Sequence, residues 1–478
     1  MRLHPPRGRR LLTAAGCLLS APAAAHTTIT PYDLPIPFSV YVYAVVGTLV
    51  LTFVVLLFVP VGRARAAPTR HGCGLRLPEP LVLALRTATL ALLAVAVLAG
   101  LIGTPSPVAN IAPFLIWILL MLGLTGFTAL GGDVFAVANP WRSLARLCSI
   151  GCRPICAYPA ALAYWPAFVC YLGLAWLELM APPLPSLLAW ALLGYTLVTL
   201  AGAALFGRRA WFERAELFGL FFRLVGTMAP VAFVRDAAGW RACRRPGLSG
   251  MTEAPPGHLS LVLFILFMLA ATTYDGVWQT SFWAGLYWGN LMHWLQPLWG
   301  DDMARAQALL APGYALYQRG GLIAAPFVYL AAYMLVVLAM RAATGRRAGI
   351  LDLAGRFAPS LVPIAVAYMF AHNWTSILST IPVVPFLLSD PFGIGWNLLG
   401  LPFMSAEPAP LDMGQVWHIE VGLILAGHVT SVYASHIVAL HNFDSRRTVW
   451  WSEGPLLVLM VGYTFIGLVV LSLPLALH

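Results

Sequence analysis

Residues 38–76 read FSVYVYAVVGTLVLTFVVLLFVPVGRARAAPTRHGCGLR, an apolar run followed at once by a loop that holds Arg63, Arg65, Arg70 and Arg76. A helix needs about 20 apolar residues to cross the hydrocarbon of a bilayer, and arginine-rich loops stay on the cytoplasmic side. The stretch therefore predicts a spanning helix that ends inside. The same alternation recurs down the chain. Further apolar runs at about 81–103, 112–131, 158–180, 186–206, 258–278, 320–340, 357–378, 416–440 and 454–473 complete ten predicted spans. The loops at 62–80, 132–157, 207–257, 341–356 and 441–453 carry nearly all the remaining arginines.

Composition agrees: 60% of the 478 residues are hydrophobic and 10% charged, which excludes an ordinary soluble domain. All 28 basic residues are arginine, and only Arg305 and Arg319 fall in outer segments; the leader arginines and Arg86, near the cytoplasmic end of its helix, complete the set. The net charge of +10 thus follows from topology. It calls for no nucleic-acid partner, and it suits an anionic inner-leaflet lipid surface. The expected fold is an all-α polytopic membrane bundle forming one domain over 26–478, with both mature ends outside.

The first residues read as a signal peptide, 1–25. Arg7, Arg9 and Arg10 precede the short apolar run LLTAAGCLLSAP, and Ala23, Ala24 and Ala25 supply a cleavage site. A lipoprotein reading through Cys17 is weaker, because Ala14 stands where leucine is usual. Cleavage makes His26 the new amino terminus, whose amine and ring nitrogen form a chelate suited to copper; the plain alternative is a histidine that merely follows the cleavage site. The stretch 211–234 holds Glu213, Arg214, Glu216 and Arg223 and reads as an interfacial or re-entrant helix. Asn139 before Pro140 reads as a helix start, with Trp141 and Arg142 as interface anchors. Cys148, Cys152 and Cys156 lack the hairpin spacing of zinc sites and read as incidental thiols.

Two long outer segments stand apart. One, 279–319, is crowded with tryptophan in WQTSFWAGLYWGNLMHWLQPLWGDD; the other, 379–415, is rich in proline and glycine. Loops this long are lids or disordered chain, and their apolar content favours lids.

Ionisable groups at membrane depth are expensive and face a protein interior or a wet cavity. Glu178, Asp275, His372, His418 and Glu420 fall near the outer helix ends, with Asp390 in the loop beyond. His428 lies eight residues deeper than Glu420, about 12 Å along a helix. His436 is deeper still. Simple solvation or capping accounts for Glu178, His418, Glu420 and His436 taken singly. Asp275, His372 and His428 sit in apolar sequence and need partners, so they are expected to converge in one cavity. Imidazoles and carboxylates are ligands for a divalent transition metal and also a general acid/base set.

At these residues the chain resembles a known family. The series HTTITPYDLPIPF, NPWRSL, LFGRRAWFERAE, TTYDG, AHNW, LLSDPFGIGWNLLG and LAGHVTSVYASHIVAL is similar, in that order, to the bacterial integral-membrane fenitrothion hydrolases. The resemblance implies an inner-membrane enzyme that cleaves an aryl phosphotriester P–O bond, with a small apolar aryl ester or other lipid-soluble substrate. In that reading His372, His428 and Asp275, with His26, hold a metal, while Glu420, Glu178 or Asp275 handles the proton. A proton- or metal-coupled transporter is the alternative. A third reading is an accessory subunit whose polar helix residues bond a second membrane subunit.

Overall fold

The computed structural model describes residues 37–56, 58, 74–253, 257–295, 297, 302–345, 349–401 and 412–472. The signal-peptide reading and His26 lie outside them. The fold is an all-α polytopic bundle. Among the described residues, ten helices are long and apolar enough to cross a membrane: α1 (Phe38–Leu56), α2 (Glu79–Ile102), α3 (Ile111–Gly131), α5 (Ala160–Leu179), α6 (Pro185–Phe206), α9 (Leu259–Trp278), α11 (Met303–Ala343), α12 (Ile350–His372), α13 (Met413–Asn442) and α14 (Arg446–Ser472). Shorter helices are α4 (Pro140–Leu147), α7 (Arg208–Arg214), α8 (Leu217–Gly226) and α10 (Ser281–Leu295).

Three helices form the centre. The most apolar stretches of α9, α12 and α13 are 72%, 72% and 61% buried, against 11–33% for the other seven. Asp275, His372, Glu420, His428 and His436 all lie on these three. Small residues permit the closest approach: a Cβ on Gly427 of α13 would stand 2.3 Å from Ala367 Cβ and 2.9 Å from the Pro363 carbonyl oxygen of α12.

Contacts among the connections define two ends. At the arginine-bearing end, β1 (Leu75–Arg76), β2 (Val231–Asp236) and β3 (Gly239–Arg244) make a small antiparallel sheet in the order β1-β3-β2, pairing Leu75 with Ala242 and Val231 with Arg244. Arg356 donates to Asn442 at the same end. At the other end the Thr104 and Ile111 amides donate to the carbonyls of Phe392 and Pro391, at 2.8 and 3.1 Å.

Several expectations need correction. The stretch 211–234 is two short helices and a strand, and α8 is buried among the other helices, with Leu217, Phe218, Leu220, Phe221 and Phe222 all 3% exposed or less. Its amino-terminal N–H groups are capped by Glu216, which accepts from Phe218 N and Gly219 N, from Asn139 Nδ2 at 2.7 Å and from the Tyr195 hydroxyl. Trp141 is no interface anchor, because it stacks on Phe218 with ring centroids 5.1 Å apart and is 1% exposed. Most of 279–319 is helical. At 41 residues α11 is about 60 Å long, twice the hydrocarbon thickness, and its first half carries α10. Trp283 stacks on Tyr317 at 4.6 Å, and the Tyr287 hydroxyl donates to the Leu310 carbonyl at 2.8 Å.

Candidate functional site

Asp275 lies in the last turn of α9 and His372 ends α12. Their side chains meet, His372 Nε2 standing 2.8 Å from Asp275 Oδ2, and they are 17% and 13% exposed. Trp278 Nε1, one turn on from Asp275, is 3.4 Å from its other oxygen. Gly276, beside Asp275, is packed against α14: a Cβ there would stand 2.6 Å from Val470, while 3.7 Å to the His372 ring is ordinary contact. The TTYDG and AHNW sequences are thus two halves of one carboxylate–imidazole pair.

The pair borders a cavity of about 60 Å³ whose wall includes Glu178, Asp275, Asn373, Thr272, Tyr171 and Trp117. A water needs roughly 10–15 Å³ of such space, so the cavity suits a few waters. Glu178 is exposed on that wall. The His372 ring lies in electrostatic range of Asp275, Glu420 and Glu178. Glu420 is 2% exposed and within electrostatic range of Tyr368 of α12, rather than in the solvated boundary position. Tyr368, one turn before His372, has a buried hydroxyl with no hydrogen-bond partner among the described residues. Three of the residues singled out from sequence, Asp275, Glu178 and Glu420, therefore gather around the His372 imidazole.

His428 does not join them. Its Nδ1 donates to the Ile424 carbonyl at 2.8 Å, and its Nε2 is buried with no hydrogen-bond partner among the described residues. The reason is helical spacing. The neighbouring Gly427 meets α12 at Pro363 and Ala367, five to nine residues before His372, which is about 8–13 Å along the helix. Among the described residues no three His, Cys, Asp or Glu side chains stand where they could hold one metal ion. The expected His372–His428–Asp275 trio is thus not assembled; His26, the fourth expected ligand, lies outside the described residues.

Sequence reading missed the second pair. His436 Nδ1 lies 2.9 and 3.2 Å from the two oxygens of Glu453, both side chains being 3% exposed. His436 is therefore no solvated cap. Its partner had been assigned to the loop, but the two residues lie seven and eight residues from the turn joining α13 to α14 at 443–445, and near-equal distance from a tight turn places residues opposite one another in a helical hairpin. His418, by contrast, is exposed and bonds Tyr41 and its own Gly414 carbonyl.

The lid reading also changes. No described residue of 279–319 or 379–415 lines the cavity. The LLSDPFGIGWNLLG segment is instead a turn built by Asp390, which accepts from the amides of Ile394 and Gly395 at 3.1 and 2.7 Å. Gly393, at φ +63°, leaves no room for a Cβ against Thr104. No protein-family model, curated protein or solved structure matches the chain, so what the site does is read from its own chemistry.

Proposed function

We propose that this membrane protein is a proton-coupled transporter. One observation carries the reading: acid–base groups, all but Glu178 buried or half-buried, are spread through the depth of the bundle on α13 and the helices beside it. The Asp275–His372 pair with Glu178 and Glu420 lies toward the end away from the arginines, His428 lies midway, and the His436–Glu453 pair lies toward the arginine end. Glu420, His428 and His436 are spaced eight residues apart, so they span about 24 Å of a hydrocarbon core of about 30 Å. A single hydrolytic centre needs no such series. Intramembrane carboxylates and imidazoles are the groups from which proton relays are built, and each carboxylate–imidazole pair holds a proton that either partner can carry. The test is proton flux into proteoliposomes under an imposed pH gradient, read by an internal pH dye. His372→Gln and His436→Gln should each remove it and His418→Gln should not; undiminished flux in the first two overturns the reading.

A hydrolase is the second reading, favoured by the Asp275–His372 pair itself. A carboxylate that fixes one ring nitrogen leaves the other to take a proton from water, and the resemblance to fenitrothion hydrolases points the same way. The cavity of about 60 Å³ is far below the roughly 300–1,000 Å³ of ordinary small-molecule sites, so an aryl phosphotriester enters only if the helices part. Release of nitrophenol from a nitrophenyl phosphotriester by the purified protein, lost in His372→Ala, would favour this reading over transport.

A further inference from the structure

A second cavity lies on the far side of α3. Residues Phe114–Gly123 of that helix are wound as a π-helix, a rare geometry that recurs at functional sites. One face of this stretch, through Trp117 and Met121, walls the Glu178–Asp275 cavity. The other, through Leu115, Leu119 and Gly123, walls an apolar groove of about 340 Å³ against α2. The groove opens outward, its residues Leu92, Leu119 and Phe127 being 42%, 40% and 54% exposed. At its arginine-bearing end it is closed by Thr89, Pro140 and Trp141.

Those closing residues adjoin a cluster of guanidiniums. Arg86 is one turn from Thr89, and its Nε donates to the Val137 carbonyl at 3.1 Å; Pro140 and Trp141 begin the helix that carries Arg142 and Arg146. Burial and then the charges of Arg86, Arg235, Arg142 and Arg208 push the Arg146 guanidinium down to about 10. Arg142 has Glu216 and Glu213 within electrostatic range. Arg146 has no carboxylate within ion-pair distance among the described residues. Repulsion of this kind is relieved by a bound anion, and guanidiniums bind phosphate in bidentate fashion.

We propose that an anionic phospholipid of the arginine-side leaflet binds here, with its phosphate on Arg146 and Arg86 and one acyl chain in the groove between α2 and α3. The occupant is set by the combination: a groove facing the membrane takes a chain, and unneutralised arginines at its end take a negative head group. This site does not depend on the transport reading. Through the π-helical stretch it shares a wall with the Glu178–Asp275 cavity.

The test uses the full chain purified in a mild detergent, with thermal unfolding followed as lipid is titrated. Dioleoyl phosphatidylglycerol should raise the melting temperature, whereas dioleoyl phosphatidylcholine and inorganic phosphate alone should not. Arg146→Gln should weaken the phosphatidylglycerol effect about fivefold in apparent affinity, while Arg447→Gln, an equal change of charge at an exposed site, should leave it intact. Gly123→Leu fills the groove from a position where an added Cβ meets nothing closer than 3.4 Å, and it should weaken the effect without touching an arginine. Equal stabilisation by phosphatidylcholine overturns the head-group assignment. Equal stabilisation by free phosphate, or an unchanged response in Gly123→Leu, overturns the lipid.

Discussion

His436 and Glu453, on consecutive helices, bring an imidazole nitrogen within 2.9 Å of a carboxylate oxygen while leaving each side chain only 3% exposed. A charge buried this deeply is tolerated because its partner is buried with it. Removing one member strands the other, which typically costs about 3–5 kcal/mol, whereas replacing both by apolar groups is often neutral. His436→Leu and Glu453→Leu are therefore each expected to reduce the folded fraction sharply, and the double substitution to recover most of it. Size-exclusion profiles and thermal melts of the three variants decide. An additive double variant would mean that the two residues do not depend on each other.

The Asp275–His372 pair is less enclosed and borders water-sized space, so stability and function should separate there. Asp275→Asn retains the shape and an oxygen for His372, and is expected to stay within about 1 kcal/mol of the parent while losing proton flux. Normal flux in a well-folded Asp275→Asn protein would remove this pair from any proton path.

Helix packing offers a contrast within α13. A methyl added at Gly427 meets Ala367 at 2.3 Å, while one added at Gly422 meets nothing within 4 Å. Gly427→Ala is expected to cost about 1–3 kcal/mol by overpacking, and Gly422→Ala to be neutral or slightly stabilising. Thermal unfolding of the two variants side by side checks this, and equal melting temperatures would show that α12 and α13 approach less closely than described.

Asp133, just beyond the end of α3, gives a pH dependence. Burial raises its carboxyl to about 6, although the Ala136 N–H and the Arg223 and Arg142 charges oppose the shift. A folded-state value above the ordinary 3.8 means that the folded protein holds the proton more tightly than the unfolded chain. The contribution is full below about pH 4 and is lost as pH rises through 6. At most it is worth roughly 3 kcal/mol, and less because the group is only half-buried. The melting temperature should fall between pH 5 and 7, and Asp133→Asn should flatten that fall. An unchanged slope would rule out Asp133 as its source.

The arginine distribution yields a prediction of side. A phosphatase reporter fused after His478, active only outside the cytoplasm, should be active, and a fluorescent protein there should be dark. The opposite result would invert the bundle.

The ten spans were legible in the sequence because crossing a bilayer imposes a length and a composition that each segment meets by itself, as in 38–56 and 259–278. Asp275, His372, Glu178 and Glu420 were legible as candidates because ionisable residues are costly in apolar sequence wherever they stand. Which of them meet was decided only by the tertiary structure. Pairing depends on which helices touch and at what height: Asp275 near the end of α9 reaches His372 at the end of α12, and the contact of Gly427 with Pro363 and Ala367 holds His428 a turn or more away from it. The same holds for Glu453, which sequence placed in a loop and the α13–α14 hairpin placed opposite His436. Local composition fixes what can enter the membrane, while relative height and rotation of helices arise from side-chain packing between segments distant in the chain.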